Sequence, residues 1–191
     1  MHNFIPRVFY FVNDFNKEEL SFLNKKIAII YRNYEKTDLK QVIQLKNFCK
    51  KNGKSLYLAN KPRLAFKLRL SGAYIPSFNK NLNINKYKNF KNFQLIGSAH
   101  NIKEIHIKLK QGVKCLFLSP LFETKKNKKF LDVYKFKLLK KNTRLKTVAL
   151  GGINEKNITK VRFTGSYGIA SISFIKKNDK LEKLRRILYG N

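Results

Sequence analysis

Two adjacent glycines, Gly151 and Gly152, end the apolar run KTVALGGI and precede a polar segment of helical period. A glycine pair at a strand end lets backbone N–H groups come close to a ligand. A helix beginning there would add its own N-terminal N–H groups and dipole, an arrangement that suits a phosphate. Ser171 and Ser173, in the last apolar run YGIASISFI, carry hydroxyls able to donate to the same anion. The rival reading of the glycines is a plain tight turn. Arg32 closes another apolar run, IAIIYR, where a guanidinium can grip a phosphate through two parallel hydrogen bonds. The segment SPLFETKKNKK sets Thr124 beside Lys125, Lys126, Lys128 and Lys129. A hydroxyl next to a movable cationic loop fits a cover over phosphate or pyrophosphate, and a solvated loop is the plainer alternative.

Ser98 and His100 end the run FQLIGSAH, but no acid accompanies them, so a Ser-His-Asp triad lacks its orienting member. Ser98 then reads as a phosphate donor and His100 as a helix-capping or lining residue. Asn60 and Tyr74 lie at or near the ends of two further runs, SLYLAN and GAYIPS. His2 and His106 take no role. Carboxylates near run ends are limited to Glu123 and, farther along, Asp132. That scarcity argues against paired-carboxylate chemistry and against a strong all-protein metal site.

The elements that must position these groups alternate along the chain. Apolar runs at 8–13, 27–32, 55–60, 72–77, 93–100, 114–122, 146–153 and 167–175 are each followed by a segment of helical period or by room for one. Continuous rather than alternating hydrophobicity is the mark of parallel strands covered on both faces. Eight such units predict a single (β/α)8 barrel over residues 1–191, with a doubly wound open sheet as the rival; 191 residues is short for a barrel. The spacing predicts a helix over TDLKQVIQLKNFCKKNG, with an apolar stripe of Leu39, Val42, Ile43, Leu45 and Phe48 and a stop at Gly53. A second, NIKEIHIKLKQG, takes Asn101 as its N-cap and Gly112 as its stop, and NEKNITKVRFTG reads as a third capped helix. Helices after the first and fourth runs look short or poor, and 79–92 reads as a loop or frayed helix. In such a barrel the working groups sit at the C-terminal ends of the strands, which is where every candidate above falls.

Composition sets the outer bounds. Lys and Arg total 42 against 11 acids, for a net charge of +31, which points to an anionic partner. The 34 lysines are dispersed, however, and come with 21 asparagines, the joint excess that A/T-rich codons produce. Nucleic-acid binding, without any recognised motif, ranks last. No run of 18 apolar residues appears, so no membrane span is expected, and the first residues read as a strand rather than a leader. Cys49 and Cys115 lack ligand spacing and read as buried thiols of a reducing, cytoplasmic setting.

Taken in order, IIYRNY, LANKPRLAFKLRLSGAYIP, IGSAHN, LFLSPLFET, ALGGIN and GIASISFI resemble thiamine-phosphate synthase and its thiazole-tautomerase relatives. The nearest likeness is to a divergent branch with IYR, PRLA and SPLF-type segments. The resemblance implies a barrel that joins hydroxymethylpyrimidine diphosphate to thiazole phosphate and releases pyrophosphate, usually with Mg²⁺. It implies that Arg32 is the diphosphate-binding arginine, Ser98 the family's serine, and Thr124 the threonine of its flexible loop. Gly151, Gly152 and Ser173 match its thiazole-phosphate cradle, and Lys126 stands among the loop lysines that would neutralise leaving charge. Several positions depart from the family. Its flanking glutamine and lysine are Ile30 and Tyr34 here, its Asn-Asp pair falls on Ala59 and Asn60, its second acidic metal ligand falls near Asn79, and its histidine is Tyr74. Loss of both acids should weaken Mg²⁺ binding. The expectation is a transferase acting on small phosphorylated heterocycles. A tautomerase-like enzyme with His100 as base and a non-catalytic phosphometabolite-binding barrel are the alternatives, and a homo-oligomer is left open.

Overall fold

Each apolar run forms a parallel strand, and the strands close on themselves in chain order: β1 Val8–Val12, β2 Ile27–Tyr31, β3 Leu56–Ala59, β4 Gly72–Ile75, β5 Gln94–Ala99, β6 Cys115–Leu118, β7 Lys146–Leu150 and β8 Gly168–Ser171. The computed structural model describes residues 4–34, 37–125, 127–171 and 174–175. Closure is made by β8 on β1, with Val8, Phe9 and Tyr10 aligned with Ile169, Ala170 and Ser171. That pairing removes the open sheet edges a doubly wound fold would leave, so the (β/α)8 barrel is the architecture.

Parallel register assigns each strand residue to one face. Phe9 aligns with Ala28, Tyr57 with Gly72, Tyr74 with Ile96, and Phe117 with Val148. These belong to the inward set, which packs as one buried cluster of Phe9, Phe11, Ala28, Ile30, Tyr57, Tyr74, Ile96, Phe117, Val148 and Ala170 with their neighbours. Large rings sit opposite small residues, so the lumen is filled rather than open. Phe117 meets Phe9 edge-on at 4.9 Å and Tyr74 at 5.4 Å between ring centroids. The floor is closed by polar bonds: Tyr57 OH donates to Gln94 Oε1 over 2.7 Å, and Tyr167 OH donates to the Ile5 carbonyl over 2.6 Å. Truncating Phe117 to alanine is expected to cost about 3–5 kcal/mol, read as a shifted urea midpoint with unchanged slope.

The outward set packs against the helices in a second cluster containing Tyr10, Ile29, Leu58, Leu116 and Ile169. Among the described residues the helices are α1 Lys17–Ser21, α2 Leu39–Lys51, α3 Pro62–Lys67, α4 Ile102–Lys110, α5 Asp132–Lys140 and α6 Ile158–Val161, with 3₁₀ turns at Leu82–Tyr87 and Arg162–Thr164. The helices after β1 and β4 are short, as expected: α1 has five residues, and the fourth connection carries the 3₁₀ turn at Leu82–Tyr87 in place of an α-helix. Asn101 caps α4 by accepting from Glu104 N–H over 2.9 Å, and Gly112 turns the chain at φ 77°. The α2 stripe differs from expectation: Val42, Leu45 and Cys49 are buried, whereas Leu39 and Ile43 are exposed. A 3.6-residue period carries the face from 42 to 45 and 49 and turns 39 and 43 away. The segment after β7 also differs. α6 is a single turn without a side-chain cap, and Asn157 instead accepts from Asn154 N–H over 2.8 Å. Both cysteines are buried free thiols, which burial pushes up to about 12. None of the described helices is long and apolar enough to cross a membrane. The segment DKLEKLRRIL lies outside the described residues.

Candidate active site

Continuing the inward parity of each strand by one step gives the residues that ring the C-terminal mouth. After Ile30 comes Arg32, whose N–H donates to the Val12 carbonyl over 2.7 Å and so prolongs the β1–β2 ladder. Its guanidinium carbon lies 5.0 Å from the centroid of Phe11, one of the rings that fill the lumen. A guanidinium is weakly hydrated and stacks well on an aromatic face, so the Phe11 ring seats the cation at the mouth, where its forked donors suit a phosphate.

Beside it stands Tyr74, buried in the lumen wall. Burial raises its phenol above the usual range, the neighbouring Tyr34 adds to this, and a hydrogen bond with Ser98 and the charge of Arg32 pull part of it back. The phenol therefore stays neutral. Ser98, also buried, is the inward residue at the top of β5, and Ser119 is its counterpart just beyond β6. His100 sits on the rim between these strands. Its Nδ1 lies 2.6 Å from the Ser119 carbonyl, which can only accept, so Nδ1 carries the proton and Nε2 is the basic nitrogen. Its backbone N–H donates to Glu104 Oε2 over 2.7 Å, which joins the β5 turn to α4. Tyr34 and Phe78 meet edge-on at 5.4 Å and link the turns after β2 and β4.

Asn60 adopts φ 58°, a left-handed conformation that asparagine tolerates, and Asn79 Nδ2 donates to Asn60 Oδ1 over 2.6 Å. The two positions where the resemblance implies acidic metal ligands are thus joined amide to amide. Among the described residues, no group of three or more His, Cys, Asp and Glu converges anywhere. This donor set does not fit Mg²⁺, which is held through carboxylate oxygens.

Gly151 and Gly152 take φ 95° and 69°. They also lie hard against the turn after β6: a Cβ on Gly152 would stand 2.4 Å from the carbonyl oxygens of Phe122 and Glu123, and one on Gly151 would stand 2.8 Å from Pro120 Cβ. Two main-chain bonds lock the contact, Leu121 N–H to the Leu150 carbonyl at 2.8 Å and Phe122 N–H to the Gly151 carbonyl at 3.1 Å. Backbone conformation and close packing therefore both demand glycine, whatever ligand comes near. Gly152→Ala is expected to destabilise the barrel by about 2–4 kcal/mol, checked by thermal unfolding. With α6 reduced to one turn, little helix dipole reaches this corner, and any anion there would be met by individual N–H groups.

Thr124 lies across a tight hairpin from Asn127, exchanging main-chain bonds of 3.0 and 3.2 Å, while its hydroxyl accepts from Asn127 N–H over 3.0 Å. Ser171 is not brought to the mouth. It aligns with Tyr10 in the outward set, and its hydroxyl accepts from Phe174 N–H over 3.3 Å. Lys126 and Ser173 lie outside the described residues. The structure thus gathers Arg32, Tyr74, Ser98 and His100 around the mouth, with Asn60 and Asn79 at the β3–β4 corner and the glycine pair at the β6–β7 side.

Sequence reasoning passed over Phe11, which seats Arg32, and Lys108. Lys108 is fully buried on α4, and its Nζ donates to the carbonyls of Pro76 and Asn79, each at 2.7 Å, and to Gln111 Oε1 at 2.9 Å. The signal was present: Lys108 stands three residues after the fully buried Ile105, on the apolar stripe of α4.

Closed parallel topology around a ring-filled lumen defines a small (β/α)8 barrel, with Arg32, Ser98 and His100 gathered at the C-terminal mouth of its strands. The chain belongs to the thiamine monophosphate synthase family, whose profile matches residues 19–175. It is 29% identical over 161 residues to a thiamine-phosphate synthase of Prochlorococcus marinus, covering 80% of this chain and 46% of that protein. It is 33% identical over 97 residues to one from Methanococcus vannielii, covering 49% and 47%. The chain thus spans about half the length of these relatives. A thiamine phosphate pyrophosphorylase from Pyrococcus furiosus has the same fold, with a TM-score of 0.76 at 17% identity over 96% of this chain and 95% of that one.

Proposed function

We propose that residues 1–191 form one catalytic domain that joins hydroxymethylpyrimidine diphosphate to thiazole phosphate, giving thiamine phosphate and pyrophosphate. The observation that carries this reading is Arg32, seated on Phe11 at the mouth beside Tyr74 and Ser98, in a barrel of this family. In the reaction the bond from the pyrimidine methylene carbon to the diphosphate oxygen breaks, and the electron pair leaves with pyrophosphate. The thiazole nitrogen then captures the carbocation. Arg32 would meet the growing negative charge with donors already in place, and loop lysines around Lys126 would add to it. Tyr74 and Ser98 offer neutral hydrogen-bonding groups to the pyrimidine side. The packed rings of Phe11, Tyr74 and Phe117 exclude water from below, so the cation would be kept for the thiazole. The glycine pair and Ser173 would receive the thiazole phosphate, with Thr124 and His100 lining the approach.

The test mixes purified protein with both substrates, in EDTA and in Mg²⁺, and looks for thiamine phosphate by fluorescence after oxidation. Product that requires both substrates is the expected result. Its absence from folded protein that still binds either substrate would sink the synthase reading. Conversion of one substrate alone would instead make the chain an isomerase-like relative with the His100 Nε2 as base.

A further inference from the structure

In the corner between β3 and β4, the oxygens that could face a cation already accept hydrogen bonds and carry no formal charge. Asn60 Oδ1 accepts from Asn79 Nδ2 at 2.6 Å, and Asn79 Oδ1 accepts from Asn81 N–H at 2.9 Å. The main-chain oxygens nearby are engaged as well. The Asn79 carbonyl accepts from Lys108 Nζ at 2.7 Å and Gln111 Nε2 at 3.0 Å. The Pro76 carbonyl accepts from Lys108 Nζ at 2.7 Å and Asn79 N–H at 3.1 Å, and the Asn81 carbonyl accepts from Gln111 Nε2 at 3.0 Å. What remains is donors. Both hydrogens of Asn60 Nδ2 and one of Asn79 Nδ2 have no partner among the described residues. An ammonium buried directly beneath adds positive potential to the same corner. Hard divalent cations want charged oxygens, whereas a phosphate wants N–H groups and positive charge.

We propose that this corner is an anion subsite: it meets one phosphate of a diphosphate with the amide N–H groups of Asn60 and Asn79, and it takes no divalent cation. This rests on the reading of the mouth as the pyrophosphate site. Carboxylates at both positions would carry two like charges within hydrogen-bonding distance and would need a cation between them. The asparagine pair supplies the same spacing with the opposite preference.

Calorimetric binding of inorganic pyrophosphate, in EDTA and in excess Mg²⁺, tests the proposal. Affinity in EDTA is expected to equal or exceed that in Mg²⁺, because Mg²⁺ competes for the same phosphate oxygens. Tightening by Mg²⁺ of more than about threefold would overturn this inference while leaving the pyrophosphate site intact. No binding in either buffer would remove the pyrophosphate reading and this inference with it. The double variant Asn60→Asp/Asn79→Asp provides the converse. It is expected to lose about tenfold or more in EDTA, to recover in Mg²⁺, and to melt higher when Mg²⁺ alone is added, a shift the unaltered protein does not show. Equal melting responses to Mg²⁺ in the two proteins would also count against the subsite. Aspartate accepts a left-handed backbone as asparagine does, so φ 58° at residue 60 is no obstacle to folding.

Discussion

Arg32→Ala lowers pyrophosphate affinity and turnover by about 10²–10³-fold and leaves the barrel folded: that is the expected result if the mouth works as inferred. The magnitude is that of removing one preorganised donor from developing negative charge. The stability half follows from position. Arg32 lies beyond the end of β2, partly exposed, and its side chain rests on Phe11 rather than filling the lumen. Its main-chain bond to Val12 survives any substitution except proline. Loss of the cation–π contact costs about 1 kcal/mol or less at such a site. Arg32→Lys separates charge from geometry: a lysine keeps the charge but not the paired donors, so affinity should recover only in part. Unchanged pyrophosphate affinity in Arg32→Ala would remove Arg32 from the site, and parallel melting curves would show that the assay reports binding rather than folding.

Lys108→Met is expected to produce the largest loss of stability at a position outside the barrel wall, about 2–4 kcal/mol near neutral pH. Methionine fills much of the stem's volume but leaves the Pro76 and Asn79 carbonyls with fewer donors, and those bonds hold the turn after β4. The effect carries a pH signature. Burial lowers the Lys108 ammonium to about 8, with Glu104 pulling weakly the other way, whereas an unfolded chain keeps that proton to about 10.5. Between those values the unfolded state binds more protons than the folded one, so folding stability rises with pH through this group. The gap between the original chain and Lys108→Met should therefore widen from pH 8 to pH 10, by up to about 3 kcal/mol. Urea titrations at three pH values measure it. A gap that narrows over the same range would mean the ammonium is stabilised rather than penalised where it sits.

Much of the barrel was legible because eight continuous apolar runs, each followed by room for a helix, leave few other topologies. Arg32, Ser98 and Tyr74 were legible for the same reason, since polar groups at or near run ends fall at the mouth. Ser171 shows where legibility stops. A strand buried on both faces has no polar–apolar alternation, so nothing in GIAS marks which residues face the lumen; only register with Tyr10 settles it. The Asn60–Asn79 bond joins residues 19 apart through a left-handed turn, and no local pattern encodes such a pairing. Lys108 hid in a chain with 34 lysines, where its place on the apolar stripe of α4 was the one distinguishing mark. The turn after β7 misled differently. Asparagines that look like helix caps were used by one another, and α6 stayed a single turn.

The segment after β6 is fastened at both of its feet. Leu121 and Phe122 donate to the carbonyls of Leu150 and Gly151, while Leu131 and Asp132 donate back to those of Pro120 and Leu121, at 2.8–3.1 Å. Between these fastenings the chain bulges out through the Thr124–Asn127 hairpin and returns to where it left. Such a closed excursion is decoupled from the frame that carries it. Its tip can lengthen, shorten or change charge over generations without disturbing a strand, so it is the part of this barrel where lineages would be free to retune what they admit.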